Sequence, residues 1–105
     1  MANGLKGTSR PSANTDTTLY TVSGNDTVVN ISACNTHAST ADPIEIYIVP
    51  NGGTKAETHA IEKDVSLAAA AVIERTGIVM EVGAKIVVNS GNGTTSFNVW
   101  GMDLT

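Results

Sequence analysis

Apolar and polar residues alternate with a period of two along most of the chain from Thr17 onward, which is the pattern of half-buried strands. Leu19, Tyr20 and Val22 form a short first strand, ended by Ser23-Gly24-Asn25-Asp26. Val29, Ile31 and Ala33 then alternate with Asn30, Ser32 and Cys34. After a polar loop over 35–42, Pro43 opens the clearest strand, in which Ile44, Ile46 and Ile48 share one face and Glu45 and Tyr47 the other. Pro50-Asn51-Gly52-Gly53 closes it with strong turn chemistry. From Lys55 to Arg75 the four alanines 68–71 and other good helix formers make a helix an alternative. The period-two run Ile61, Lys63, Val65, Leu67, followed by Val72-Ile73, favours two strands joined across the alanines. Ile78–Val82 and Ile86-Val87-Val88 are further strands, and Ser90-Gly91-Asn92-Gly93 predicts a hairpin because Asn-Gly tolerates positive φ. The last strand, Ser96–Leu104, carries Phe97 and Val99 on one face and Trp100, Met102 and Leu104 on the other. Two apolar faces predict cover on both sides, either by a second sheet and a neighbour or by the N-terminal arm.

About seven or eight short strands at this spacing predict an all-β fold, a single small antiparallel β-sandwich of jelly-roll-like form. Composition agrees: Val, Ile and Thr supply 33 of the 105 residues, against four Leu, and β-branched side chains pack well on a pleated surface. Residues 1–16 break the pattern. Apart from Met1, Leu5 is their one large apolar side chain, too little to offset the entropy of ordering. The reading is an extended polar N-terminal arm over 1–16 and a β-sandwich domain over 17–105. Lys6, Arg10 and Asp16 make the arm slightly basic on a body that is otherwise acidic, within a net charge of −4. An arm of that kind suits an acidic neighbour.

Charge and apolar content narrow the function. Ten acidic against six basic residues, with no Lys/Arg cluster, leave no nucleic-acid footprint. No apolar run reaches the ~20 residues of a membrane helix, and no apolar segment near Met1 resembles a signal peptide. The single cysteine, Cys34, permits no internal disulfide and points to a reducing compartment of synthesis. It reads as a small half-buried residue rather than a nucleophile. His37 and His59 lie 22 residues apart, with no second Cys or His pair to complete a ligand set, so no metal site is expected. Glu57, Glu62 and Asp64 are interleaved with Lys55 and Lys63, which describes a salt-bridged face better than paired acid–base carboxylates. The glycines of the turns precede no helix that could orient a phosphate. The N-x-S/T matches at Asn25, Asn30 and Asn92 are what a chain this rich in those residues produces by chance. The expectation is a non-enzymatic protein with no catalytic residues and no cofactor. Its candidate interface residues are the arm's Leu5, Lys6 and Arg10 and the amphipathic aromatics Tyr47 and Trp100. Alanines 68–71 either make a compact crossing or admit another backbone closely.

The order of the segments resembles a family of small β-sandwich virion proteins of tailed bacteriophages. The resemblance lies in T-L-Y-T-V (Thr18–Val22), T-V-V-N-I-S-A-C-N (Thr27–Asn35), I-Y-I-V-P-N-G-G-T (Ile46–Thr54), I-E-K-D-V-S-L (Ile61–Leu67) and S-F-N-V-W-G-M-D-L (Ser96–Leu104). It spans about residues 18–104 and leaves the arm unmatched. These motifs are strand faces and turns, with no catalytic residue among them. The resemblance implies a virion structural protein that decorates or cements a capsid by bridging neighbouring major capsid protein subunits. A tail, baseplate or fibre adaptor is the alternative. The implied partners are the major capsid protein and further copies of the chain, as a trimer or dimer, with neither nucleic acid nor membrane. The implied location is the capsid surface of the virion, after synthesis in the host bacterial cytoplasm. A sandwich bearing Trp and Tyr is also compatible with a carbohydrate-binding module, provided the rings are exposed and coplanar.

Overall fold

A computed structural model describes residues 3–104, and among these the chain forms eight strands. They are β1 (Gly4–Ser9), β2 (Thr17–Thr21), β3 (Thr27–Asn35), β4 (Asp42–Val49), β5 (Ala60–Leu67), β6 (Val72–Met80), β7 (Lys85–Ser90) and β8 (Thr95–Asp103). A front sheet has the order β1-β8-β3-β6 and a back sheet the order β2-β7-β4-β5, with every pairing antiparallel. Only β4 and β5 are consecutive strands paired in one sheet; every other connection crosses between sheets. That order is a jelly roll.

Alternation sets the two faces. On β3, Thr27, Val29, Ile31, Ala33 and Asn35 are buried while the residues between them are half-exposed. The inward Val29, Ile31, Ala33, Phe97 and Val99 of the front sheet pack with Leu19, Ile44, Ile46, Ile86 and Val88 of the back sheet in one core. Each aliphatic side chain moved out of water there contributes about 1.5–3 kcal/mol at most. The 55–75 segment resolves as two strands across the alanines, preceded by one 3-10 turn at Glu57–His59. The alanines form the tight crossing itself: the Ala71 N–H donates to Ala68 O, and the Ala70 N–H to His37 O.

Two expectations need correction. Ser90–Gly93 is not a hairpin, because β7 lies in the back sheet and β8 in the front. The segment turns a corner around Ser90, whose Oγ accepts the N–H groups of Gly93, Thr94 and Thr95 at 3.0, 3.1 and 3.3 Å. The same hydroxyl donates to Asp42, a fully buried carboxylate that also accepts the Thr95 hydroxyl at 2.5 Å and the Asn92 N–H at 2.8 Å. Nor does the N-terminal segment stand off as an arm. Residues 1–2 lie outside the described residues, but Gly4–Ser9 pairs with β8 from Gly4↔Gly101 to Ser9↔Phe97. Ladder hydrogen bonds satisfy its backbone, and Gly7 lets it approach closely: a Cβ there would lie 2.5 Å from Leu19 O.

The four edge strands share a feature that the inner ones lack. Each pairing that involves an edge (β1–β8, β2–β7, β4–β5 and β3–β6) contains a register shift. The two inner pairings, β3–β8 and β4–β7, run without one. On β6 the irregularity brings Gly77 to φ 68°, with its N–H donating to Asn30 Oδ1 at 3.0 Å. On β5 Asp64 adopts φ 52°. Irregular edges of this kind discourage pairing with further strands.

Candidate interface

The outer face of the front sheet is built from the residues that alternate with the core. In register across it, Val79 of β6 stands opposite Val28 of β3, and Val28 opposite Met102 of β8. The adjacent row places Asn30 opposite Trp100, and Trp100 opposite Leu5 of β1. Leu5, Val79 and Met102 are 66%, 70% and 58% exposed, while Val28 and Trp100 are half-buried. Directly opposed side chains in such rows have Cβ atoms about 4.5–5.5 Å apart, so the five apolar groups form one patch. Thr8, Ser32, Ser96 and Asn98 continue the face with small uncharged groups.

Charge is nearly absent from this face. The four strands carry only Lys6, Glu74, Arg75 and Asp103 as charged residues. Lys6 and Asp103 turn toward each other at 2.8 Å with side chains 3% and 8% exposed. The Asp103 hydrogen bond holds the Lys6 ammonium above its usual range, against the opposing effect of burial, and its Nζ also lies 5.5 Å from the centre of the Tyr20 ring. Arg75 reaches Glu62 at the edge of the back sheet. Glu74 alone remains on the outer face. A patch depleted of charge and containing Trp and Met has the composition of an interface core.

The back sheet is covered differently. The β4–β5 loop folds over it, and Lys55 reaches Asp16 at 2.7 Å while lying 4.3 Å from the centre of the Tyr47 ring. Tyr47, Val49 and Val87 form a second small buried cluster with Ala60 against it. The Tyr47 hydroxyl donates to Glu45, and burial chiefly raises its pKa above the ordinary phenol value. Hydrogen bonds from Lys55 and then Asn89, the latter at 2.9 Å, hold the Asp16 carboxyl below the usual range. Around these groups lies an open polar cleft of about 430 Å³, lined also by Asn14, Glu57 and Lys63. Its opposite charges are largely matched among themselves.

Of the five candidate contact residues, the structure brings Leu5 and Trp100 together and separates the others. Tyr47 is a correction: at 2% exposure, under its own loop, it offers no surface to a partner. Lys6 and Arg10 are engaged within the chain, Arg10 donating through Nε to Gly93 O at 3.3 Å. Met102, Val79 and Val28 complete the patch. Met102 was legible as the outward apolar partner of Trp100 on its strand, but no local signal places Val79 beside it. The histidines serve loops: His37 Nδ1 accepts the N–H groups of Ser39 and Thr40, and His59 Nδ1 that of Ala56, each at 3.1 Å. Among the described residues no three His, Cys, Asp or Glu side chains gather at metal-binding distance. Cys34 is half-buried on the outer face of β3.

No family model matches this sequence, and no curated protein does. Among solved structures it is similar to a chain in "Structure of infectious bursal disease virus Gx strain", at 17% identity and a TM-score of 0.43. The match covers 95% of this chain and 28% of that one, so this chain spans little more than a quarter of its length.

Proposed function

We propose that this protein is a non-enzymatic structural subunit of a virus particle, a capsid decoration or cement protein of the tailed-bacteriophage kind. The observation that carries the reading is where the apolar side chains go. Of the large apolar side chains left exposed, Leu5, Val72, Val79 and Met102 lie on one outer sheet face that is almost free of charge, as an association surface requires. The jelly roll recurs in viral capsid domains, lectins and cupins, and two of these fit poorly here. A cupin-like site needs room between the sheets, whereas that space is filled by Val, Ile, Leu and Phe. A sugar platform needs exposed rings, whereas Phe97 and Tyr47 are buried and Tyr20 and Trp100 half-buried.

As a cement the subunit would bridge neighbouring major capsid protein subunits, each contact adding to the force that parts them. Quantitative mass spectrometry of purified particles tests the reading through copy number. Hundreds of copies per particle are expected for a shell component. About a dozen would move the chain to the tail or baseplate, and absence from particles would end the virion reading.

A further inference from the structure

We propose that the outer face of the front sheet is where two copies of this chain meet, sheet against sheet. The inference goes beyond the virion reading and holds wherever the protein is displayed. Three observations select a second copy as the occupant.

The first concerns charge. Each copy carries −4, so two copies repel wherever charged faces approach. The back-sheet side presents Asp16, Glu45, Glu57, Lys55 and Lys63 around its cleft. The front outer face presents only Glu74, on the edge strand β6 and opposite Ser32, outside the apolar rows. Two acidic copies therefore meet there with no like charges forced together in the apolar contact.

The second concerns edges. Strand addition is the other common route by which β-domains associate, and register shifts interrupt all four edge pairings. Association is directed to a face.

The third concerns area and symmetry. Four strands and about eight residues give a face of roughly 19 by 25 Å, so two copies bury on the order of 950 Å² together. That lies at the lower bound for a specific interface and predicts a weak, concentration-dependent dimer. A two-fold axis running along the strands between β8 and β3 lays the whole face on its counterpart and sets Met102 of each copy against Val28 of the other, leaving Thr8 and Ser96 toward the rim. Such a contact is isologous and closes after two copies.

The test is sedimentation equilibrium of the full chain from about 1 µM to 1 mM, a range that spans the affinity expected of so small an interface. It is paired with concentration-dependent NMR shifts. The expected result is a monomer–dimer equilibrium with shifts confined to Leu5, Val28, Val79, Trp100, Met102 and their row neighbours. Val79→Asp and Met102→Asp should each weaken dimerisation by about tenfold or more. Ile61→Asp, at a 39%-exposed position on β5 of the back sheet, should leave it unchanged. Thermal melts of the two front-face variants show that they remain folded. A chain that stays monomeric throughout the range overturns the proposal, as does dimerisation that survives both front-face substitutions. A face that binds capsid shells without self-association overturns it too, while leaving the virion reading intact.

Discussion

Arg75 at the free edge of the front sheet forms an ion pair with Glu62 at the free edge of the back sheet. The pair clasps the two sheets on the side where no strand connects β5 to β6 except through the alanine crossing. Its two halves differ in exposure: the Glu62 side chain is 5% exposed and that of Arg75 48%. Removing the exposed partner leaves a desolvated carboxylate facing the interior. Arg75→Ala should therefore cost about 1–3 kcal/mol, less than a fully buried pair because the guanidinium is half in water. Combining it with Glu62→Leu should recover part of the loss in urea denaturation, since the stranded charge is then gone. Equal losses in single and double variants would mean that the pair does not hold the edge.

The buried Asp42 organises the opposite kind of junction. It accepts the hydroxyls of Ser90 and Thr95 and the N–H of Asn92, while Ser90 Oγ gathers three further N–H groups. Asp42→Ala leaves those donors without their acceptor in a dry site, at a cost of about 3 kcal/mol or more. Thr95→Val removes only one hydroxyl and should cost about 1 kcal/mol. Chemical denaturation of both variants checks the ranking, and an Asp42→Ala cost no larger than that of Thr95→Val would show the network to be dispensable.

These two contacts also mark what could be read from the chain and what could not. Alternation in β3 and β8 fixed which residues face inward, because a half-buried strand repeats every two residues whatever it pairs with. Leu5 and Trp100 were legible as apolar residues outside the core pattern, yet their adjacency depends on β1 pairing with β8 across some ninety positions. Ser90–Gly93 carries a sound hairpin signal, but a turn's local chemistry does not say whether the chain returns to its own sheet. That choice rests on Asp42, 48 residues away. β1 carries no apolar alternation to read, because its one large apolar side chain, Leu5, faces outward; it joins through its backbone ladder and the Lys6–Asp103 pair. Tyr47 lies opposite the isoleucines as alternation predicts, but its cover comes from Lys55 and a loop whose path no periodicity reveals.

The loop over Tyr47 should respond to pH through Asp16. Its folded pKa lies below the ordinary carboxylate value, so its contribution is present above the unfolded pKa of about 3.9 and is lost as pH falls through the lower folded value. Asp16→Asn removes that contribution and frees Lys55 from its anchor. Burial is the largest cause of the raised Tyr47 pKa and outweighs the lowering by Lys55. Loosening the loop should thus bring the phenol's ionisation down toward about 10. Absorbance titration at alkaline pH checks this, with an unmoved or higher Tyr47 transition counting against the clasp.

Ala70 offers a change in the stabilising direction. It sits exposed in the β5–β6 crossing at φ 61°, where an L side chain is disfavoured by roughly 1–2 kcal/mol. Glycine relieves that strain but loses more backbone entropy on folding. The balance predicts that Ala70→Gly raises stability by about 0.5–1 kcal/mol. A lower melting temperature would mean that the Ala70 methyl group contributes packing that outweighs its strain.

Removal of residues 1–9 discriminates most sharply between an arm and a strand. A polar arm outside the domain could be cut with no change in melting temperature. Residues 3–9 instead supply five register pairs to β8, the buried Lys6 side chain that pairs with Asp103, and an N–H acceptor in Asn3 Oδ1, 3.1 Å from the Asp103 nitrogen. Net hydrogen-bond contributions of about 0.5–1.5 kcal/mol each, with the loss of Lys6 beside a mostly buried carboxylate, amount to several kcal/mol. In a domain of this size that lowers the melting temperature by about 10 °C or more. The regular inner strand β8 would also become an edge, so the truncated chain should aggregate more readily at equal concentration. Lys6→Met separates the two contributions, keeping the ladder while removing the charge. It should lower the melting temperature by less than the truncation and leave solubility unchanged, whereas an unaltered melt for the truncated chain would return residues 1–9 to the status of a passive tail.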